Sequence, residues 1–118
     1  MATTGTINVA AKNLMLNALK NDTTYSVVAT NASNTDVSNY QNISFNSASN
    51  GSMSFSGSVT LTINAGSNGA NAVAKLFVVK ATATSQSILE FVLDTPIDFE
   101  NGGSLVVTQL DVELNDPA

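Results

Sequence analysis

The stretch DTPIDFENGG, residues 94 to 103, holds the densest set of oxygen ligands in the chain: Asp94, Asp98, Glu100 and Asn101 could turn toward one calcium ion. Calcium takes six to eight oxygens in a compact loop. The spacing is not that of an EF-hand, and acidic residues and Asn before Gly-Gly are what an ordinary turn contains. The expectation is a structural turn, with no metal and no cofactor. A second chemistry, glycoside hydrolysis, needs two carboxylates flanking the scissile bond, one of them held protonated. Asp94, Asp98, Asp111 and Glu113 are the candidates, but nothing in their spacing selects a pair. Trp is absent, and Tyr25 and Tyr40 are the only tyrosines on which a sugar could stack. These carboxylates are expected to be solvated, as most are.

His and Cys are absent as well. Their absence removes disulfides, thiolate nucleophiles, the common zinc sites and the imidazole on which most acid–base catalysis depends. An enzyme is therefore not expected. The only cations are Lys12, Lys20, Lys75 and Lys80 against nine carboxylates, a net charge of -5. Binding to nucleic acid rests on neutralising phosphates with Lys and Arg, and attraction to anionic lipid has the same requirement, so neither partner is expected. No run approaches the roughly 18 apolar residues of a membrane span. MATTGTINVAAKN has no basic segment leading into an apolar one, so synthesis in a cytoplasm is expected. Without a secretory route, the Asn-x-Ser/Thr triplets at Asn21, Asn31, Asn42 and Asn50 are chance products of an Asn-, Ser- and Thr-rich chain. NGAN and NGG lack the Lys-Ser/Thr that completes a phosphate loop, and are loop tips.

The elements that must position these residues follow from periodicity. A chain of 118 residues is one domain, residues 1–118, with room for one modest core. In INVAAKNLMLNALK, Ala11, Leu14, Met15, Ala18 and Leu19 recur at helical spacing. The spacing predicts an amphipathic helix over about 8–20, capped by Thr6 or Asn8, with Leu14, Met15 and Leu19 turned into the core. Strands are predicted from about residue 25 onward: YSVVAT, QNISF, SMSFSGSVTLTI, VAKLFVVKA, SILEFVLDT and SLVVTQLDVEL. Asn50-Gly51 supplies the positive φ of a hairpin turn, so QNISF and SMSFSGSVTLTI should pair antiparallel. VAKLFVVKA carries apolar residues on both faces, which suits a central strand, and SILEFVLDT again carries them on both faces, with Pro96 ending or edging that strand. SLVVTQLDVEL should be one strand with Val106, Leu110, Val112 and Leu114 on one face. The expected fold is mainly β: an antiparallel two-sheet β-sandwich of six to seven strands with one N-terminal amphipathic helix.

One feature suggests a surface use. From Ser52 to Thr62 every second residue is a hydroxyl: Ser52, Ser54, Ser56, Ser58, Thr60 and Thr62. Such side chains lose little entropy on burial and can donate or accept, whereas interfaces are depleted in Lys and Glu. These six residues are the expected contact face for a neighbouring chain.

The run from AAKNLMLNAL through ISFNSASNGSMSFSGSVTLTINAGSNGANAVAKLFVV resembles small bacteriophage virion structural proteins of the tail-fibre-like or capsid decoration type. The resemblance covers about residues 8 to 80: an amphipathic helix, a Ser- and Gly-rich strand pair, an NAG turn and an apolar strand. It implies a non-enzymatic particle component made in the host bacterial cytoplasm and located in the virion. Its expected partners are other virion proteins of capsid or tail, with association into a homo-oligomer. A capsid decoration or minor head position is favoured, because the chain has no fibrous repeat. The alternatives are a tail appendage and a carbohydrate-binding adhesin module, the latter suggested by the Asn- and Asp-rich loops at 31–39, 64–71 and 94–103.

Overall fold

The computed structural model describes residues 6–64, 72–99 and 102–114. The NAGSNGAN turn after Asn64 therefore lies outside the described residues, as do Glu100 and Asn101. One helix, α1 (Val9–Asp22), is followed by eight described strands: β1 (Tyr25–Thr30), β2 (Gln41–Ile43), β3 (Ser52–Ser54), β4 (Val59–Ile63), β5 (Val73–Lys80), β6 (Ala83–Ile97), β7 (Gly103–Val107) and β8 (Asp111–Glu113). The expected mainly β chain with one N-terminal helix is found. The strands form three antiparallel sheets, where six or seven strands in two were expected: a four-stranded sheet in the order β2-β1-β5-β6, and the ladders β3-β8 and β4-β7.

β1 and β5 are central strands, and their sequences show it. Every residue of YSVVAT is buried. One face, with Val27, Ala29, Leu76 and Val78, enters a single buried cluster with Met53 of β3, Leu61 and Ile63 of β4, Val107 of β7 and Leu16 of the helix. Polar atoms that enter the interior are bonded. The Ser38 hydroxyl accepts from the Ala29 N–H at 2.8 Å and donates to the Asn39 carbonyl at 2.8 Å. Among the described residues no buried side-chain N or O lacks a partner, as an interior of low dielectric requires.

The hairpin around Asn50-Gly51 forms as expected. Both residues have positive φ, 54° and 79°, and Phe45 bridges Phe55 across the pair. Asn46 N–H donates to Ser54 O at 2.8 Å and Ser56 N–H to Ser44 O at 2.9 Å. Regular pairing goes elsewhere, with β2 taken by β1 and β3 by β8.

Three expectations need correction. Leu14 and Met15 are 73% and 52% exposed, while Leu16 is the buried helix residue. The helix docks instead through its amide-bearing side. Asn13 Oδ1 accepts from Gly51 N–H at 2.9 Å and Asn17 Oδ1 from Ala48 N–H at 2.8 Å, satisfying turn donors that apolar side chains would leave unpaired. SLVVTQLDVEL is not one strand. It breaks after Val107, so β7 and β8 sit in different ladders, Val107 is buried and Val106 is 56% exposed. Nor is SILEFVLDT buried on either of its two apolar faces. It lies within β6, the edge of its sheet, where no residue is fully buried and register shifts interrupt the pairing with β5. Pro96 is tolerated there because an outer edge needs no donor.

Candidate functional site

The carboxylates do not converge. Asp94 and Asp98 are exposed at the far end of β6 and just beyond it, while Asp111 and Glu113 are exposed on β8. Asp111 accepts a bond from Gln109 at 2.7 Å. Among the described residues no group of three or more His, Cys, Asp or Glu is placed to hold a metal ion. The Asn-x-Ser/Thr positions are partly explained by local structure. Asn31 Oδ1 accepts from the N–H groups of Ser33 and Thr35, Asn42 Oδ1 accepts from the Ser26 hydroxyl at 2.8 Å, and Asn50 occupies the hairpin turn.

The hydroxyl row is divided. Ser52 and Ser54 belong to β3 and are half-buried. Ser52 Oγ donates to Ser49 O at 3.2 Å, and Ser54 Oγ accepts from Asn46 Nδ2 at 3.2 Å. At Gly57, φ is +89°, a conformation that side-chain-bearing residues rarely adopt, and the chain leaves one ladder for the next. Ser56 and Ser58 flank that break and are exposed. Thr60 and Thr62 then stand exposed on β4, opposite Val106 and Ser104 of β7. The structure therefore separates the row into a bonded pair, Ser52 and Ser54, and an exposed set, Ser56, Ser58, Thr60 and Thr62. Alternation alone could not show this, because the period of two survives the break.

A second surface is the outer side of α1. Ala11, Leu14, Met15 and Ala18 share it and are all exposed. These are four residues of the apolar stripe read from the sequence, turned away from the core, while the fifth, Leu19, packs against it as expected.

The third feature is a groove of about 290 Å³ on the face of the four-stranded sheet opposite the core. Val28 and Val79 lie in its floor, with the half-buried Phe77 directly across from Val28. One wall is the 31–40 segment, which brings Asn34, Asp36 and Tyr40. The other is the start of β6, with Thr84, Ser85 and Ser87, where two register shifts against β5 bulge the strand. Bulges re-aim side chains and collect beside functional sites. The 31–40 wall is pinned from several directions. Thr30 bridges Asp36, Val37 N–H donates to Ala29 O at 2.9 Å, and Asn34, at φ 64°, accepts from Lys75 Nζ at 2.8 Å. Lys75 in turn pairs with Glu90 at 3.2 Å. The Tyr40 hydroxyl donates to Asp36 Oδ2 at 2.5 Å, and this bond, followed by desolvation, pushes the phenol up to about 12. Neither Asp36 nor Tyr40 stood out in the sequence. Their i, i+4 spacing in a turn-rich segment was the available signal, and only the path of the loop shows its use. Comparison with protein-family models, curated proteins and solved structures finds no match for this chain.

Proposed function

We propose that this chain is a non-enzymatic structural protein of a bacteriophage virion, a multi-copy capsid decoration or minor head protein that binds the particle surface and self-associates. The observation that carries this reading is the outward apolar side of α1. A helix that keeps Leu14 and Met15 in water gains about 1.5–3 kcal/mol for each such side chain on burying it, and in a particle component a neighbouring chain supplies the cover. The exposed hydroxyls Ser56, Ser58, Thr60 and Thr62, free of charge, add a second surface that is cheap to desolvate beside ionic ones. The resemblance of residues 8 to 80 to small virion proteins supports the same reading. In it the β3-β8 and β4-β7 ladders together act as the second layer of a sandwich.

The test is incorporation into particles. Leu14→Lys with Met15→Lys, and separately Ser56→Lys with Ser58→Lys, are expected to fold and to be depleted from purified virions. Unchanged incorporation of both variants overturns these surfaces as the contacts. Copy number separates the two positions within the class: hundreds per particle place the chain on the shell, and a handful places it on the tail.

A further inference from the structure

We propose that the groove on the outer face of the four-stranded sheet is a binding site for a single neutral sugar ring. Its volume, about 290 Å³, sits at the lower edge of the range of small-molecule sites, about 300–1,000 Å³. That size suits one ring.

The lining has two chemistries in the arrangement a pyranose needs. The apolar floor offers the C–H face of a ring the half-buried Phe77, set beside the buried Val28 and Val79. Around it stand the exposed hydroxyls of Thr84, Ser85 and Ser87, which can donate or accept, while the buried Thr30 hydroxyl donates to the Asn31 carbonyl at 3.2 Å. The planar acceptors are Asp36 and Asn34, on the wall that β1 and Lys75 hold in place. Preorganisation of this kind lowers the entropy lost on binding.

The charges narrow the ligand further. One cation stands at the rim: Lys75 lies on the same face as Phe77 and Val79, opposite Thr30, where it is bonded to Asn34 and paired with Glu90. A phosphate or carboxylate would have to draw that cation away from Asn34 and Glu90, and would meet the carboxylates of Asp36 and Glu90, of its own sign. A cationic ligand would find Asp36, but that carboxylate is exposed and already takes the Tyr40 proton donor, and an exposed ion pair contributes little. The hydroxyl-rich lining favours a polyhydroxylated, uncharged occupant.

The inference is independent of the virion reading, because the groove lies on a different surface from the outer side of α1. The experiment is a titration of the intact chain by amide-resolved NMR with glucose, galactose, rhamnose and N-acetylglucosamine, with choline as the cationic control. At least one sugar is expected to shift the amides of Tyr40, Phe77, Ser85 and Ser87, with a dissociation constant in the millimolar range of a weak single-ring ligand, near about 1 mM. Asp36→Asn should weaken that binding about tenfold by replacing the carboxylate with a poorer acceptor. Ser85→Lys, at an exposed rim position that leaves the core untouched, should abolish it by filling the groove. Silence of the groove amides toward every sugar up to about 100 mM overturns the proposal. So does binding of choline alone, or equal binding by wild type, Asp36→Asn and Ser85→Lys. None of these outcomes bears on particle incorporation.

Discussion

Tyr40 and Asp36 show how one hydrogen bond couples a loop to pH. The phenol of an unfolded chain titrates near 10, and in the folded chain the bond to Asp36 and desolvation raise it to about 12. A raised phenol contributes stability that is fully present below the unfolded value and fades as pH climbs through the folded one. The stability difference between wild type and Tyr40→Phe is therefore expected to be constant at neutral pH and to shrink between about pH 10 and about pH 12. Tyr40 is partly exposed, so the neutral-pH difference should stay below about 1 kcal/mol. Urea denaturation across that pH range measures both. A difference that persists unchanged above about pH 12 would show that the hydroxyl stabilises the loop by something other than the proton it donates to Asp36.

Among the elements, the helix carries the clearest lesson about what a sequence discloses. Its existence and approximate extent were legible from periodicity, as were the bounds of β1, the central place of β5 and the Asn50-Gly51 turn. Its orientation was not. Periodicity identifies an apolar side without saying whether this chain or another covers it, and here two asparagines bonded to the turn at 48–51 decide the matter. The same limit hid the break between β7 and β8, since alternation on either side of it looks continuous. Of the expected contact row, four residues remain exposed and two are bonded into β3, because a hydroxyl reads the same whether it faces water or a carbonyl. Asn17→Ala is expected to cost about 1–2 kcal/mol by leaving the Ala48 N–H without its acceptor. Met15→Lys should change stability by less than about 0.5 kcal/mol. The reverse order in denaturant titrations would mean that the apolar side of α1 is covered within the chain after all.

As a whole molecule, the chain measures 54 × 31 × 23 Å, with one buried cluster that draws on the four-stranded sheet, both small ladders and the helix. β6 runs along the outside with little burial, and its bulges and Pro96 blunt an edge that would otherwise invite another strand. Cohesion is therefore uneven. β1 and β5 are enclosed, whereas α1 is moored by the buried Leu16, the half-buried Leu19, the two asparagine bonds, the Tyr25 hydroxyl on the Leu19 carbonyl and a partly exposed ion pair from Asp22 to Lys80 at 3.2 Å. Segments with so few anchors open before the rest. Deuterium should thus replace the amide protons of Val9–Asp22 well before those of Tyr25–Thr30. Equal rates in the two segments would mean that the chain yields as one cooperative unit. A helix that lets go early, with its greasy side already facing out, can trade its own body for a larger one without unravelling the sheet behind it.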